Sequence, residues 1–143
     1  MKKVIAIWVL IVFATNLSAQ ILSADKGIKS VSDKSLLVSL NGSWKFQFIP
    51  NADWSRYSDF FQEGYNDNNW GKIPVPGNWD ALGYTLPKYA HPDDLNGLYR
   101  TSFIVPDNWK GQHVILKFDG VLRGYELWVN GHYAGKWESA YNS

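Results

Sequence analysis

Apolar and polar residues alternate with a period of two along several short stretches of this chain. In Trp44-Lys45-Phe46-Gln47-Phe48 every second residue is aromatic. That is the pattern of a half-buried strand, with Trp44, Phe46 and Phe48 on the core face. Pro50 ends it, because proline cannot donate to a ladder. Gly97 to Val105 alternates Tyr99, Thr101, Phe103 and Val105 against Leu98, Arg100, Ser102 and Ile104. Val114, Leu116 and Phe118 alternate with Ile115 and Lys117 until Asp119-Gly120 breaks the run. Tyr125 to Val129 and His132 to Trp137 flank Asn130-Gly131. Both central residues of a two-residue hairpin turn need positive φ, which Asn and Gly adopt at least cost. No long segment has a 3.6-residue period and no internal repeat is present. Short strands separated by turn signals predict an all-β fold, a sandwich or jelly roll.

The segments between the strands are equally marked. Ser35 to Leu40 is a short apolar run before Asn41-Gly42. Residues 51–71 are rich in Asn, Asp and Gly and read as a connection, with a helical turn or two within Ser55 to Gln62. Its anchors onto the sandwich are expected to be Trp54, Tyr57, Phe60, Phe61 and Trp70. Pro74 and Pro76 confine residues 73–80 to an extended edge. Residues 81–96 form a long loop with Pro87 and Pro92, and long ordered loops tend to be functional. Pro106 to Gly111 is a turn containing Trp109.

The N-terminus has a different character. Lys2 and Lys3 precede the apolar run Val4 to Ala14, and Leu17-Ser18-Ala19 offers a small-residue cleavage site. This reads as a secretory signal peptide over residues 1–19, outside the fold. A membrane anchor would need ~20 apolar residues. The expected product is exported, periplasmic or secreted, and free of the membrane after cleavage. Residues 20–34 are expected to be a weakly ordered leader and 35–143 the folded domain. The sequence ends soon after the hairpin, which would leave a sheet without a closing strand, so a domain truncated at its C-terminus is expected.

Composition then narrows the function. There is no Cys, so the fold holds by burial without disulfides. Removing Lys2 and Lys3 leaves 12 basic against 13 acidic residues, a net charge of −1. A nearly neutral chain has no electrostatic footprint for nucleic acid or anionic membrane. Seven Trp, eight Tyr and six Phe follow Ala19. Such aromatics can stack on sugar faces or fill a sandwich core, and composition leaves both open.

An ordered set of landmarks is more specific. It runs Leu40-x-Gly42-x-Trp44-x-Phe46, then Trp70-x-x-Ile73-Pro74-Val75-Pro76-x-x-Trp79 and Gly83. Next come Gly97-x-Tyr99-Arg100-x-x-Phe103-x-Val105-Pro106-x-x-Trp109-x-Gly111, Phe118-Asp119-Gly120-Val121 and Leu127-Trp128-Val129-Asn130-Gly131-x-x-x-Gly135. Over about residues 40–143 this resembles the N-terminal sugar-binding domain of glycoside hydrolase family 2, which holds β-galactosidases, β-glucuronidases and β-mannosidases. The resemblance implies a jelly-roll, galactose-binding-like domain ahead of an immunoglobulin-like domain and a catalytic (β/α)₈ barrel. Tyr84-x-x-Pro87-x-Tyr89 is more similar to the β-galactosidase branch. Two departures stand against that branch. The loop before the Gly-x-Tyr-Arg strand is cut to Ala90 to Asn96, and Leu122 stands where relatives often have Asn.

Chemistry follows from what the chain contains. Retaining glycoside hydrolysis needs two carboxylates about 5–5.5 Å apart. The chain has three glutamates, Glu63, Glu126 and Glu138, and none matches the family's catalytic motifs. No catalytic residue is assigned, and the segment alone is expected to be inactive. Asp93-Asp94 falls short of a calcium loop. His91, His113 and His132 stand singly, without metal spacing. Neither metal nor cofactor is expected. Trp79, Tyr84, Tyr89 and His91, on or near the long loop, are candidate sugar contacts, with Arg123 a fifth. Trp79 and Tyr84 can equally pin the loop to the sheet, and Arg123 can equally be a solvated turn residue. The leading expectation is the N-terminal part of an exported β-galactosidase-like enzyme acting on terminal β-glycosides. Its partners would be a β-glycoside and the downstream domains of the same polypeptide. The alternatives are a free-standing carbohydrate-binding module and a jelly roll that has lost sugar binding.

Overall fold

A computed structural model describes residues 4–11, 17–22, 37–50, 53–85, 95–121 and 124–138. Nine strands run through them. They are β1 (Val4–Ile11), β2 (Leu17–Leu22), β3 (Leu37–Ser39), β4 (Gly42–Ile49), β5 (Gly71–Val75), β6 (Asn96–Ile104), β7 (His113–Phe118), β8 (Tyr125–Val129) and β9 (His132–Trp137). Single 3₁₀ turns occur at Trp54–Arg56 and Asp107–Trp109. All neighbouring strands pair antiparallel, in a six-stranded sheet of order β5-β4-β6-β1-β8-β9 and a three-stranded sheet of order β3-β2-β7. The all-β sandwich expected from the alternation is the architecture found.

The alternating strands build the core as their pattern requires. Trp44 and Phe46 of β4 are buried, and Phe48 packs against them. Tyr99, Tyr125 and Leu127 of the larger sheet meet Phe118, Leu116 and Val38 of the smaller one. Trp44 Nε1 donates to the Leu40 carbonyl at 2.7 Å, which satisfies the indole where water is excluded. Trp109 is buried against Val38, Val105 and Leu116, so the turn after β6 closes that end of the sandwich. β5 carries Pro74 and lies at the sheet edge, where a missing amide donor costs no ladder bond.

β6 is covered on both faces. Tyr99 points into the sandwich, while Leu98 packs with Ile49 and Phe60 in a second apolar cluster. Tyr57, Phe61, Tyr65, Trp70 and Trp128 close around that cluster. The 53–70 segment is therefore a third layer over the outer face of β4, β6 and β8. Tyr57, Phe60, Phe61 and Trp70, expected as anchors, hold it there, and the side chain of Trp54 lies outside the described residues.

The hairpin forms at the expected dipeptide. Asn130 has φ 51° and Gly131 φ 80°, the two positive values that such a turn demands. A register shift at Leu127/Trp128 marks a bulge.

In the 143-residue chain Val4–Ile11 is a strand between β6 and β8, and Leu17–Leu22 pairs with β3 and β7. The physical reason lies in the run VIAIWVLI. Its β-branched and large apolar residues suit a signal peptide and also a strand buried on both faces.

Candidate carbohydrate-binding site

Three features of the domain could meet a ligand. These are the base of the long loop, an aromatic depression over β8, and a polar depression over β4 and β6.

The loop base is built from β5 outward. Trp79 is fully buried, at 0% exposure, with its ring 5.3 Å from Phe48 and 6.1 Å from Phe46. Its Nε1 donates to the Tyr99 hydroxyl at 2.5 Å. Burial pushes the Tyr99 phenol well above its ordinary range, and the Trp79 hydrogen bond opposes that rise. The Tyr84 ring meets Phe46 edge-on at 4.8 Å, and its amide donates to the Trp79 carbonyl at 2.9 Å. Asn78 starts the turn by accepting from the Asp80 amide at 2.8 Å, and Thr85 donates to the Asp80 carboxylate. Trp79 must be corrected as a sugar contact: a ring with no exposed face cannot stack on a pyranose. Half-buried Tyr84 packs its ring on the core as well. The chain gives both residues to anchoring, and Gly97 shows how tightly. A Cβ there would run into the Trp79 ring and lie 2.8 Å from Phe46. Tyr89, His91 and Arg123 lie outside the described residues.

The polar depression, about 420 Å³, is lined by Ser43, Lys45, Asp67, Arg100, Thr101 and Ser102. Its floor is an ion-pair network under the third layer. Arg100 is 3% exposed and Asp67 16%. Arg100 Nη1 lies 3.3 Å from Asp67 Oδ2, and Lys45 Nζ pairs with Asp67 Oδ1. Arg100 also donates to the Tyr65 and Gln62 carbonyls, each at 3.2 Å. Its guanidinium lies 5.3 Å from the Tyr65 ring centre and 5.9 Å from that of Trp70. Burial pulls the Arg100 pKa down, and the Asp67 charge pushes it back up. A planar cation with several fixed donors suits this position between two rings and two carbonyls. The geometry pins the 53–70 layer to β6. Sequence alternation placed Arg100 on the face of Leu98, but the Asn- and Asp-rich connection gave no sign that Asp67 was its partner.

The aromatic depression, about 440 Å³, is lined by Tyr57, Ser58, Phe60, Phe61, Asn96, Glu126 and Trp128. Phe61 stacks on Trp128 at 5.5 Å with 10° between planes, and Tyr133 meets Trp128 edge-on at 5.4 Å. These rings are engaged with each other. Among the described residues no three His, Asp or Glu side chains gather as a metal site would require.

The described residues form an antiparallel sandwich with a Trp- and Tyr-filled core and an outer layer clamped by a buried Arg. Residues 37–143 match the sequence profile described as glycosyl hydrolases family 2, sugar binding domain, and the chain belongs to that family. It is 33% identical over 121 residues to a β-galactosidase of Priestia megaterium, covering 72% of this chain and 12% of that protein. It is 39% identical over 112 residues to a β-galactosidase of Vibrio vulnificus, covering 68% of this chain and 11% of that protein. A β-galactosidase large subunit of Leuconostoc lactis is 29% identical over 133 residues, 72% of this chain and 21% of that protein. The chain thus spans between a tenth and a fifth of the length of these relatives.

Proposed function

We propose that this chain is the N-terminal part of an exported family 2 glycosidase that hydrolyses terminal β-galactosides, and that these residues support the active site without performing the chemistry. The observation that carries the reading is the family match over residues 37–143, together with relatives named β-galactosidase that are several times longer. The glutamates agree with it. Glu63 is exposed, and Glu138 is an exposed partner of Lys136 whose ion pair holds its carboxyl below the usual range. A catalytic acid needs the opposite, a pKa raised by its surroundings. Export rests on the Lys2-Lys3, Val4 to Ala14 and Leu17 to Ala19 pattern. A jelly-roll domain of this kind would dock on a barrel and form one wall of its active site.

The substrate class is tested on the intact gene product with nitrophenyl β-galactoside, β-glucuronide and β-mannoside. The galactoside should be hydrolysed with the highest kcat/KM. A clear preference for the glucuronide or mannoside, or no hydrolysis of any, would refute the assignment.

A further inference from the structure

Asn-Gly occurs three times in the sequence, at Asn41-Gly42, Asn96-Gly97 and Asn130-Gly131. The dipeptide is chemically unstable. Glycine has no Cβ to shield its amide nitrogen, so that nitrogen can attack the side-chain carbonyl carbon of the preceding asparagine. Closure into a five-membered succinimide needs rotation of the peptide that joins the two residues, and a fixed backbone resists it. The fold treats the three dipeptides differently. Asn96-Gly97 opens β6, with Asn96 opposite Ile49 and Gly97 opposite Phe48. A Cβ at Gly97 would already strike the Trp79 ring, so that peptide has no room to turn. Asn130-Gly131 is the hairpin turn, closed by the Val129–His132 pair. Both of its residues are half-buried, and the Phe61 carbonyl lies beside Gly131. Asn41-Gly42 is the least enclosed. Asn41 lies between β3 and β4, and Asn41, Gly42 and Ser43 are all exposed. Nothing lies within 4 Å of the place a Gly42 Cβ would take. Gly42 also begins the β4 ladder, opposite Val75 of the edge strand, and ladder ends fray first.

We propose that Asn41 is a site of spontaneous covalent modification, where the folded protein converts asparagine to aspartate and isoaspartate ahead of its other Asn-Gly positions. The Gly42 amide gives up its proton to water, and its nitrogen bonds to Asn41 Cγ. The Cγ–Nδ2 bond breaks, and ammonia leaves with a proton taken back from water. A water molecule then opens the ring at either carbonyl. Breaking the new bond to Cγ leaves aspartate. Breaking the bond to the main-chain carbonyl carbon leaves isoaspartate, with the main chain now running through Cβ and Cγ. Water is the sole co-reactant, and nothing is oxidised or reduced. Either product adds a negative charge, and isoaspartate also adds a carbon atom to the main chain between Leu40 and Gly42. The lengthening falls at a sensitive place. Leu40 is buried in the core, and its carbonyl accepts from Trp44 Nε1 at 2.7 Å. The span from Leu40 to Trp44 is thus closed at both ends. A longer main chain cannot keep both the seat of Leu40 and the register of β4 without strain.

Peptide mapping over time tests the site. The intact gene product is incubated folded, and again in urea, at mildly alkaline pH, where the glycine amide loses its proton more readily. Peptides spanning the three dipeptides are followed by mass spectrometry, with chromatography separating aspartate from isoaspartate. In the folded protein Asn41 should convert several times faster than Asn130, and Asn96 should stay intact. In urea the three rates should come close to one another, because the dipeptide is the same and only the fold distinguishes its surroundings. Conversion of Asn130 or Asn96 as fast as Asn41 in the folded protein overturns the proposal. So does an intact Asn41, or the same ranking in urea. Hydrogen exchange over residues 40–46 of the aged folded samples reads the consequence. It should quicken as isoaspartate accumulates. Asn41→Gln, whose longer side chain closes the ring poorly, should abolish both the conversion and the quickening. Exchange that stays unchanged on ageing, or quickens equally in Asn41→Gln, overturns the link to Trp44.

Discussion

Arg100 carries a positive charge where water hardly reaches, and its neighbours make that tolerable. Asp67 supplies the countercharge, two carbonyls accept its N–H groups, and two rings lie within cation–π distance. Removing one partner of such a pair costs more than the pair is worth, because the other charge is left poorly compensated. Asp67→Ala is therefore expected to destabilise the fold by about 3 kcal/mol, the low end for a buried pair because Asp67 retains some exposure. Urea unfolding of the two chains measures it, and a loss within error of zero would mean that the clamp is decorative. Tyr99 sets a second expectation. Burial raises its pKa, and burial raises those of Tyr65 and Tyr125 in the same direction. The folded state thus keeps protons that the unfolded chain releases above the ordinary value of 10.0. Stability is full below that pH and falls as pH rises above it, by up to about 1.4 kcal/mol per pH unit for each tyrosine. Urea midpoints should hold up to the ordinary value of 10.0 and drop above it, and Tyr99→Phe should soften the drop. The same substitution costs about 1 kcal/mol near neutrality, because it removes the hydroxyl that accepts from Trp79.

At the scale of elements, the hairpin and the loop base carry the most pointed expectations. Gly131 sits at φ 80°, so Gly131→Val should cost at least about 1 kcal/mol in thermal or urea unfolding, from strain at a position that disfavours a β-branched side chain. Gly97→Ala should cost about 1–3 kcal/mol, because the new methyl drives into the rings of Trp79 and Phe46. If Gly97→Ala is neutral, the loop base is looser than its ring contacts imply. These two glycines also mark what the sequence could and could not reveal. The Asn130-Gly131 turn was legible because its φ requirement is local. So were the core face of β4, through strict alternation, and the edge position of β5, through Pro74. The closeness of Gly97 to Trp79 depends on two segments meeting across the sheet, and nothing local encodes that. For the same reason Trp79 suited a sugar platform as well as a core anchor until its burial was known. The Arg100–Asp67 pair joins a strand to a connection without periodicity, so no pattern announced it. The leader run was legible as apolar, and nothing in that pattern pointed to its place between β6 and β8.

At the scale of the whole molecule, two sheets and an outer layer enclose a core of aromatic rings. The core is filled with rings that hold each other, and Trp79 and Tyr84 attach the segment after β5 to it. Lys136 holds the Glu138 carboxyl below the usual carboxylate range, the opposite of a raised catalytic acid. The central claim is that this domain supports glycoside hydrolysis and does not carry it out. The most direct test is turnover of nitrophenyl β-galactoside by the purified 143-residue chain at high protein concentration. The account predicts none above the buffer rate, and sustained turnover that scales with the amount of this chain would contradict it.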